Sequence, residues 1–347
     1  MIRSGAALAA ASAIPGVARS ALAAGQLVVT DQGGASEDAN TNAYYKPFEA
    51  ATGTKMLYSA RPNLSMGQLK AMVQAGHVEW DVTVLSDYLI GVAVKQGLLE
   101  KIDYSVFDKK LLSELIKGAT DPYYVGLDSY ATVMGYSTKK WSAANAPKTW
   151  ADFWDVKKFP GTRAMIGFGY GPMEYALLAD GVPPDKLYPL DVNRALKKLD
   201  EIRPNVTVWT SSSAQQTQLM ENQEVDLIQG FANRLRAAIS AGAPYDVQWS
   251  QGSYQLEAWV VPKGSPNRDL AMKFIASTLN PQAEAVMLKT EDVGCINPRA
   301  YSFIPIARAK TLPTYPDNVK QMWRVNAAWV GEHIDDLTAA WTKWKTG

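Results

Sequence analysis

Cysteine occurs once in the 347 residues, at Cys295, and histidine twice, at His77 and His333. One cysteine excludes an internal disulfide framework and a thiolate cluster for zinc or iron–sulfur. Two imidazoles leave the usual nucleophile–base and metal-hydrolase constellations without their parts. An excess of charge is missing too, with 35 Lys and Arg against 34 Asp and Glu for a net charge of +1. Bulk electrostatics therefore point to neither nucleic acid nor an anionic membrane. No G-x-x-x-x-G-K-[ST], G-x-S-x-G, H-E-x-x-H or paired C-x-x-C pattern occurs, so nucleotide hydrolysis, serine hydrolysis and zinc proteolysis lack their signatures.

What remains is an ordinary globular composition, 47% hydrophobic, with eleven Trp and sixteen Tyr and enough length for roughly two domains. Aromatic richness with so little histidine favours a protein that holds a ligand over one that transforms it. Residues 1–24 run from Arg3 through an Ala-rich stretch to Ala23 and Ala24, which reads as a signal peptide cleaved near Ala24. Its removal takes away Arg3 and Arg19 and no acid, leaving an exported chain close to neutral. No later run approaches the roughly 18 apolar residues of a spanning helix.

Apolar runs and turn residues alternate along the rest. Strands are expected at 27–30, 81–85, 133–136, 164–166, 206–209, 225–229 and 258–261, and helices from about 42 to 53, 65–76, 86–96, 268–278 and 319–344. This is an α/β chain with a mixed or parallel sheet. In such sheets ligands bind at loops after strand ends, which selects Asp31, Gln32, Gly33 and Gly34, Ser86 to Tyr88, Ser129, Tyr130, Ala131 and Thr132, and Gln229 to Arg234. The run Gly167-Phe168-Gly169-Tyr170-Gly171-Pro172 lacks the final glycine of a dinucleotide turn and reads as a loop of close backbone approach, with Gly171 facing a ligand. Tyr44-Tyr45 and Tyr123-Tyr124 are tandem phenols of a kind that ligate ferric iron or fill a core.

Four phrases, Pro47-Phe48-Glu49-Ala50-Ala51-Thr52-Gly53, Gln96-Gly97-Leu98-Leu99-Glu100, Lys148-Thr149-Trp150-Ala151-Asp152-Phe153-Trp154-Asp155 and Trp259-Val260-Val261-Pro262-Lys263-Gly264, occur in an order that resembles periplasmic solute-binding proteins of ABC importers. More narrowly, the chain is similar to the spermidine/putrescine-binding family over essentially its whole mature length. That resemblance implies a two-lobed periplasmic binding protein (type II) with the ligand cleft between cross-woven lobes, one of residues 25–130 plus 260–305 and the other of 131–259 plus 306–347. It implies no catalysis, no cofactor and no metal. The partners it implies are a small-molecule ligand and a permease in the inner membrane, for a monomer in the periplasm.

The resemblance also assigns positions. Ser86 and Tyr88 match a Ser and a Tyr that line the polyamine cleft, Glu257 falls where polyamine binders pair an ammonium, and Glu174 falls near a second family acid. Gln229 and Gln255 stand where those binders place Trp residues around the aliphatic chain, and Cys295 replaces a family Tyr. Arg234 matches an Arg of relatives that bind carboxylates, notably γ-aminobutyrate, and its fork can grip a carboxylate at a helix N-terminus. Arg234 on one wall and Glu257 on another would suit a zwitterion, with a polyamine next. The alternatives are a dicarboxylate, ferric iron on tyrosines, or an exported enzyme using Glu174 and Glu257 as paired carboxylates.

Overall fold

The computed structural model describes residues 25–31, 33, 35–60 and 66–347. The expected signal peptide, residues 1–24, and the loop residues Gln32 and Gly34 lie outside the described residues. In chain order the strands are β1 (Gln26–Asp31), β2 (Lys55–Ala60), β3 (Val82–Ser86), β4 (Thr120–Asp121), β5 (Tyr124–Ser137), β6 (Arg163–Ile166), β7 (Val206–Thr210), β8 (Leu227–Phe231), β9 (Tyr245–Val260) and β10 (Trp323–Arg324). Among the described residues they form one mixed sheet in the order β2-β1-β3-β9-β5-β8-β6-β7, with β10 on β9 and β4 on β5.

β5 and β9 explain how one sheet serves two lobes. They are 14 and 16 residues long and run antiparallel along most of their length. One end of this ribbon carries β3, β1 and β2, and the other carries β8, β6 and β7. Within each lobe the outer strands pair in parallel, and they join the ribbon antiparallel through β3 and β8. Register shifts between Gly126 and Asp128 and between Thr132 and Met134 fall inside β5, one on each side of the crossing.

Each lobe buries apolar residues on both faces of its sheet, as doubly covered α/β sheets must. In the first lobe, Val29, Val84 and Trp259 pack under the segment Thr41–Tyr45 and the helix Arg268–Thr278, while Leu85, Ala258 and Val260 pack under Met66–Ala75 and Asp87–Lys95. In the second, Met134 and Met165 face the helices Met173–Ala179 and Val192–Ile202, and Val133, Ala164 and Ile228 face Ser213–Glu221 and Ala232–Ser240. Ala309 and Leu312 were expected with the second lobe but join the first-lobe core beside Val29 and Cys295, because the chain returns across the ribbon only at β10. The last helix starts at Ala327 rather than near 319, with Trp323 and Arg324 first pairing as a strand against Ser253 and Tyr254.

That last helix, Ala327–Thr346, touches both lobes. A Cβ at Gly331 would collide with the carbonyl oxygen of Tyr88, and Lys95 Nζ meets Glu332 Oε1 at 2.6 Å. Farther along, Trp341 lies so close to Gly171 that a Cβ there would enter its indole.

Candidate functional site

Strand alternation places the key side chains. On one face of the sheet, Tyr130 stands opposite Gln255, Thr132 stands between Ser253 and Phe231, and Met134 is opposite Gln229. Above this face the loop after β6 brings Phe168 to Gly171, and the helix Met173–Ala179 brings Glu174 and Tyr175. Tyr88 enters from the start of Asp87–Lys95, and Val325 and Ile334 close the side nearest the last helix. The cavity, partly open to solvent, measures about 160 Å³, below the roughly 300–1,000 Å³ of sites for drug-sized ligands and of a size for a small metabolite.

Six aromatic rings line it: Tyr88, Tyr130, Phe168, Tyr170, Tyr175 and Phe231. Phe231 meets Tyr130 edge-on with centroids 6.0 Å apart and lies 6.1 Å from Phe168. No Lys or Arg belongs to the described lining, and Glu174 is its one carboxylate. Oε1 of Glu174 accepts the Tyr170 hydroxyl at 3.0 Å and the Tyr188 hydroxyl at 3.1 Å. Burial outweighs these bonds and pushes the carboxyl up to about 7. A ring-walled cavity with one carboxylate complements a single ammonium, through the ring faces and the anion together.

Gly171 shows why this loop is glycine-rich. Its φ of 71° is left-handed, and its missing Cβ leaves room for Trp341.

One row along the same sheet face, β9 places Glu257 between Ser86 and Asp128, and Ser86 Oγ donates to Glu257 Oε1 at 3.0 Å. With Asp31 and Glu291 these acids line a hollow of about 20 Å³. Asp31 is held there by Asn40 at 2.9 Å, Tyr45 at 2.8 Å, Tyr58 at 2.9 Å and the Gly33 N–H at 2.9 Å. Burial first, and then Glu257, hold the Asp128 carboxyl well above the usual carboxylate range. Tyr45 is engaged by Asp31, and the Tyr44 hydroxyl points at Met287 in the core, so the tandem phenols of β1's neighbouring helix are spent on packing.

The structure thus brings together Tyr88, Tyr130, Gly171, Glu174, Gln229 and Gln255 in the cavity, and Asp31, Gly33, Ser86 and Glu257 at or beside the hollow. Three other expectations are corrected. Cys295 is fully buried in the first-lobe core under Tyr301 and Thr314, because Gly294 pairs with Ser129 and turns the thiol inward. Ser129 is fully buried on the strand face opposite Tyr130 and outside the cavity lining. Arg234 is exposed and outside the lining, although its charge favours the ionised form of Glu291 in the facing lobe. The stretch from Ser129 to Thr132 included the lining residue Thr132, whereas sequence reasoning passed over Phe168, Tyr170, Tyr175, Ser253, Val325 and Ile334. The glycine loop would have found Phe168 and Tyr170; the others carry no local signal.

The geometry, a cavity astride two crossing strands between two α/β lobes, matches known proteins. Residues 43–316 match the family described as bacterial extracellular solute-binding protein. The chain belongs to that family. It is 33% identical to the gamma-aminobutyric acid-binding protein of Pseudomonas aeruginosa, over 92% of this chain and 90% of that protein. It is 26% identical to the spermidine/putrescine-binding periplasmic protein of Escherichia coli K12, over 86% of this chain and 90% of that protein. Among solved structures it resembles an ABC transporter substrate-binding protein from Bradyrhizobium japonicum USDA 110, with a TM-score of 0.84, 36% identity, and 93% of this chain and 99% of that one covered. This family member is therefore a solute-binding protein of the ABC-transporter class, a receptor and not an enzyme. No helix among the described residues is long and apolar enough to cross a membrane.

Proposed function

We propose that this receptor captures a small zwitterion of the γ-aminobutyrate type in the ring-lined cavity and carries it, as a periplasmic monomer freed of residues 1–24, to an inner-membrane ABC permease. The observation that carries the reading is the lining itself: six rings and one carboxylate, Glu174, with no basic side chain. One buried anion balances one ammonium, whereas a polyamine brings several cations that each need an acid. Arg234, three residues past the ring of Phe231, lies outside the lining, and its positive charge acts on Glu291. It draws a carboxylate-bearing ligand inward and favours closure of the lobes. The 33% identity to a gamma-aminobutyric acid-binding protein supports the same choice.

The ammonium sits against Glu174, and binding energy shifts the lobes toward the closed form that the permease recognises. Calorimetric titration of the mature protein with γ-aminobutyrate, putrescine, spermidine and succinate tests this. Tight binding of γ-aminobutyrate, lost in Glu174→Gln and retained in Glu257→Gln, is expected. Tighter binding of putrescine or spermidine overturns the reading.

A further inference from the structure

The polar groups along the cavity wall are unevenly used. Oε1 of Gln229 accepts the backbone N–H of Ile166 at 3.0 Å. A backbone N–H can only meet an oxygen, so this bond fixes which way round the amide lies. The side chain is 1% exposed and lines the cavity, and among the described residues its Nε2 has no hydrogen-bond partner. Oε1 of Gln255 is taken by the Tyr130 hydroxyl at 2.8 Å and Oε1 of Glu174 by two tyrosines, while Oγ of Ser253 and the Tyr175 hydroxyl share a hydrogen bond at 2.5 Å. These acceptors are largely engaged, and at Gln229 the group left facing the ligand space is an N–H donor. A ligand that displaces water from this donor must offer an acceptor in its place, or the amide is left desolvated and unpaired.

We propose that Gln229 is a specificity-determining residue: its fixed Nε2 donates to an oxygen of the ligand, so the cavity accepts an ω-amino acid or its uncharged amide and refuses a diamine of similar length. The inference rests on the cavity being the ligand site and goes further by naming the group that reads the far end. γ-Aminobutyrate and putrescine share an ammonium and a short methylene chain and differ at the other terminus. One ends in oxygens that accept, the other in an ammonium that only donates. Donor facing donor leaves both unmatched and adds repulsion, which discriminates more sharply than the loss of a favourable contact alone. Since Arg234 lies outside the lining, the discrimination does not require a charged end: 4-aminobutanamide, whose carbonyl accepts equally well, should satisfy Gln229.

The test is calorimetric titration of wild-type protein and Gln229→Glu with γ-aminobutyrate, 4-aminobutanamide, putrescine, butylamine and succinate at about pH 8.5, which favours the ionised form of the new carboxylate. Glutamate keeps an oxygen for the Ile166 N–H and turns its second oxygen to the cavity. We expect γ-aminobutyrate and 4-aminobutanamide to weaken at least about tenfold and putrescine to tighten by a similar factor. An unchanged ratio of γ-aminobutyrate to putrescine in a variant with the wild-type unfolding temperature overturns the role of Gln229 and leaves the zwitterion reading standing. If that variant does not fold, the wild-type protein decides: 4-aminobutanamide bound at least about tenfold tighter than butylamine supports the donor, and equal affinity overturns it. Wild-type preference for succinate that Gln229→Glu removes keeps the donor and overturns the zwitterion. Wild-type preference for putrescine overturns both.

Discussion

The Tyr188 hydroxyl donates to Oε1 of Glu174 at 3.1 Å, which fixes the orientation of the one carboxylate in the described cavity lining. Burial nevertheless keeps that carboxyl at about 7, so in the empty receptor it is close to half protonated at neutral pH. An ammonium ligand binds the ionised form. Affinity should therefore be full above about pH 8 and fall as the pH drops through 7, by about tenfold for each further unit. Titrations between pH 5 and 8.5 check this, and Glu174→Gln should bind weakly with no such slope. Tyr188→Phe removes a donor to the anion and should move the midpoint upward.

Arg234→Ala should leave the unfolding free energy within about 0.5 kcal/mol of wild type, because the side chain is exposed. Its effect should appear in association, with γ-aminobutyrate binding a few-fold more slowly and less sensitive to salt. Stopped-flow measurements at two ionic strengths read both. Loss of all binding would instead place Arg234 on the ligand.

Gly171→Ala and Gly331→Ala should each destabilise the fold by about 1–3 kcal/mol. The first forces a left-handed residue and a clash with Trp341, the second a clash with the Tyr88 carbonyl. Urea unfolding measures the cost. Of the two, Gly171→Ala should also weaken ligand binding, since this glycine lines the cavity.

Cys295 should resist thiol reagents in the native protein and react at once in denaturant. It is fully buried, and burial, reinforced by the Glu284 carboxylate, pushes its thiol far above the ordinary range. Colorimetric thiol titration before and after unfolding checks it, and rapid native labelling would require opening of the first-lobe core.

The α/β alternation was legible because short strands such as Val82–Ser86 and Leu227–Phe231 are apolar on both faces and stop at clear turn signals. The two strands that define the molecule were not. β5 and β9 were expected only as 133–136 and 258–261, since Gly126, Asp128, Ser129 and the stretch Ser250 to Ser253 interrupt their apolar pattern. Those polar residues occur at the crossing, where the sheet leaves a core and turns its face to the ligand. Of these breaks, Ser253 lines the cavity and Asp128 the neighbouring hollow, so two of the residues that hide the strands from periodicity face the candidate site. Arg324 was equally invisible: its guanidinium reaches the Lys117 carbonyl at 2.9 Å and Asp87 at 3.4 Å, contacts across more than two hundred residues of chain.

The cavity is completed by Val325 and Ile334, and Gly171 is pressed by Trp341. Everything else that lines it has been made by residue 255. A chain that has reached only β9 therefore holds nearly all of the cavity's lining but lacks one wall until Val325 and Ile334 dock. The same segment also supplies Trp323, Val330, Leu337 and Trp341 to the second-lobe core, so closing the pocket wall and completing that core are one event.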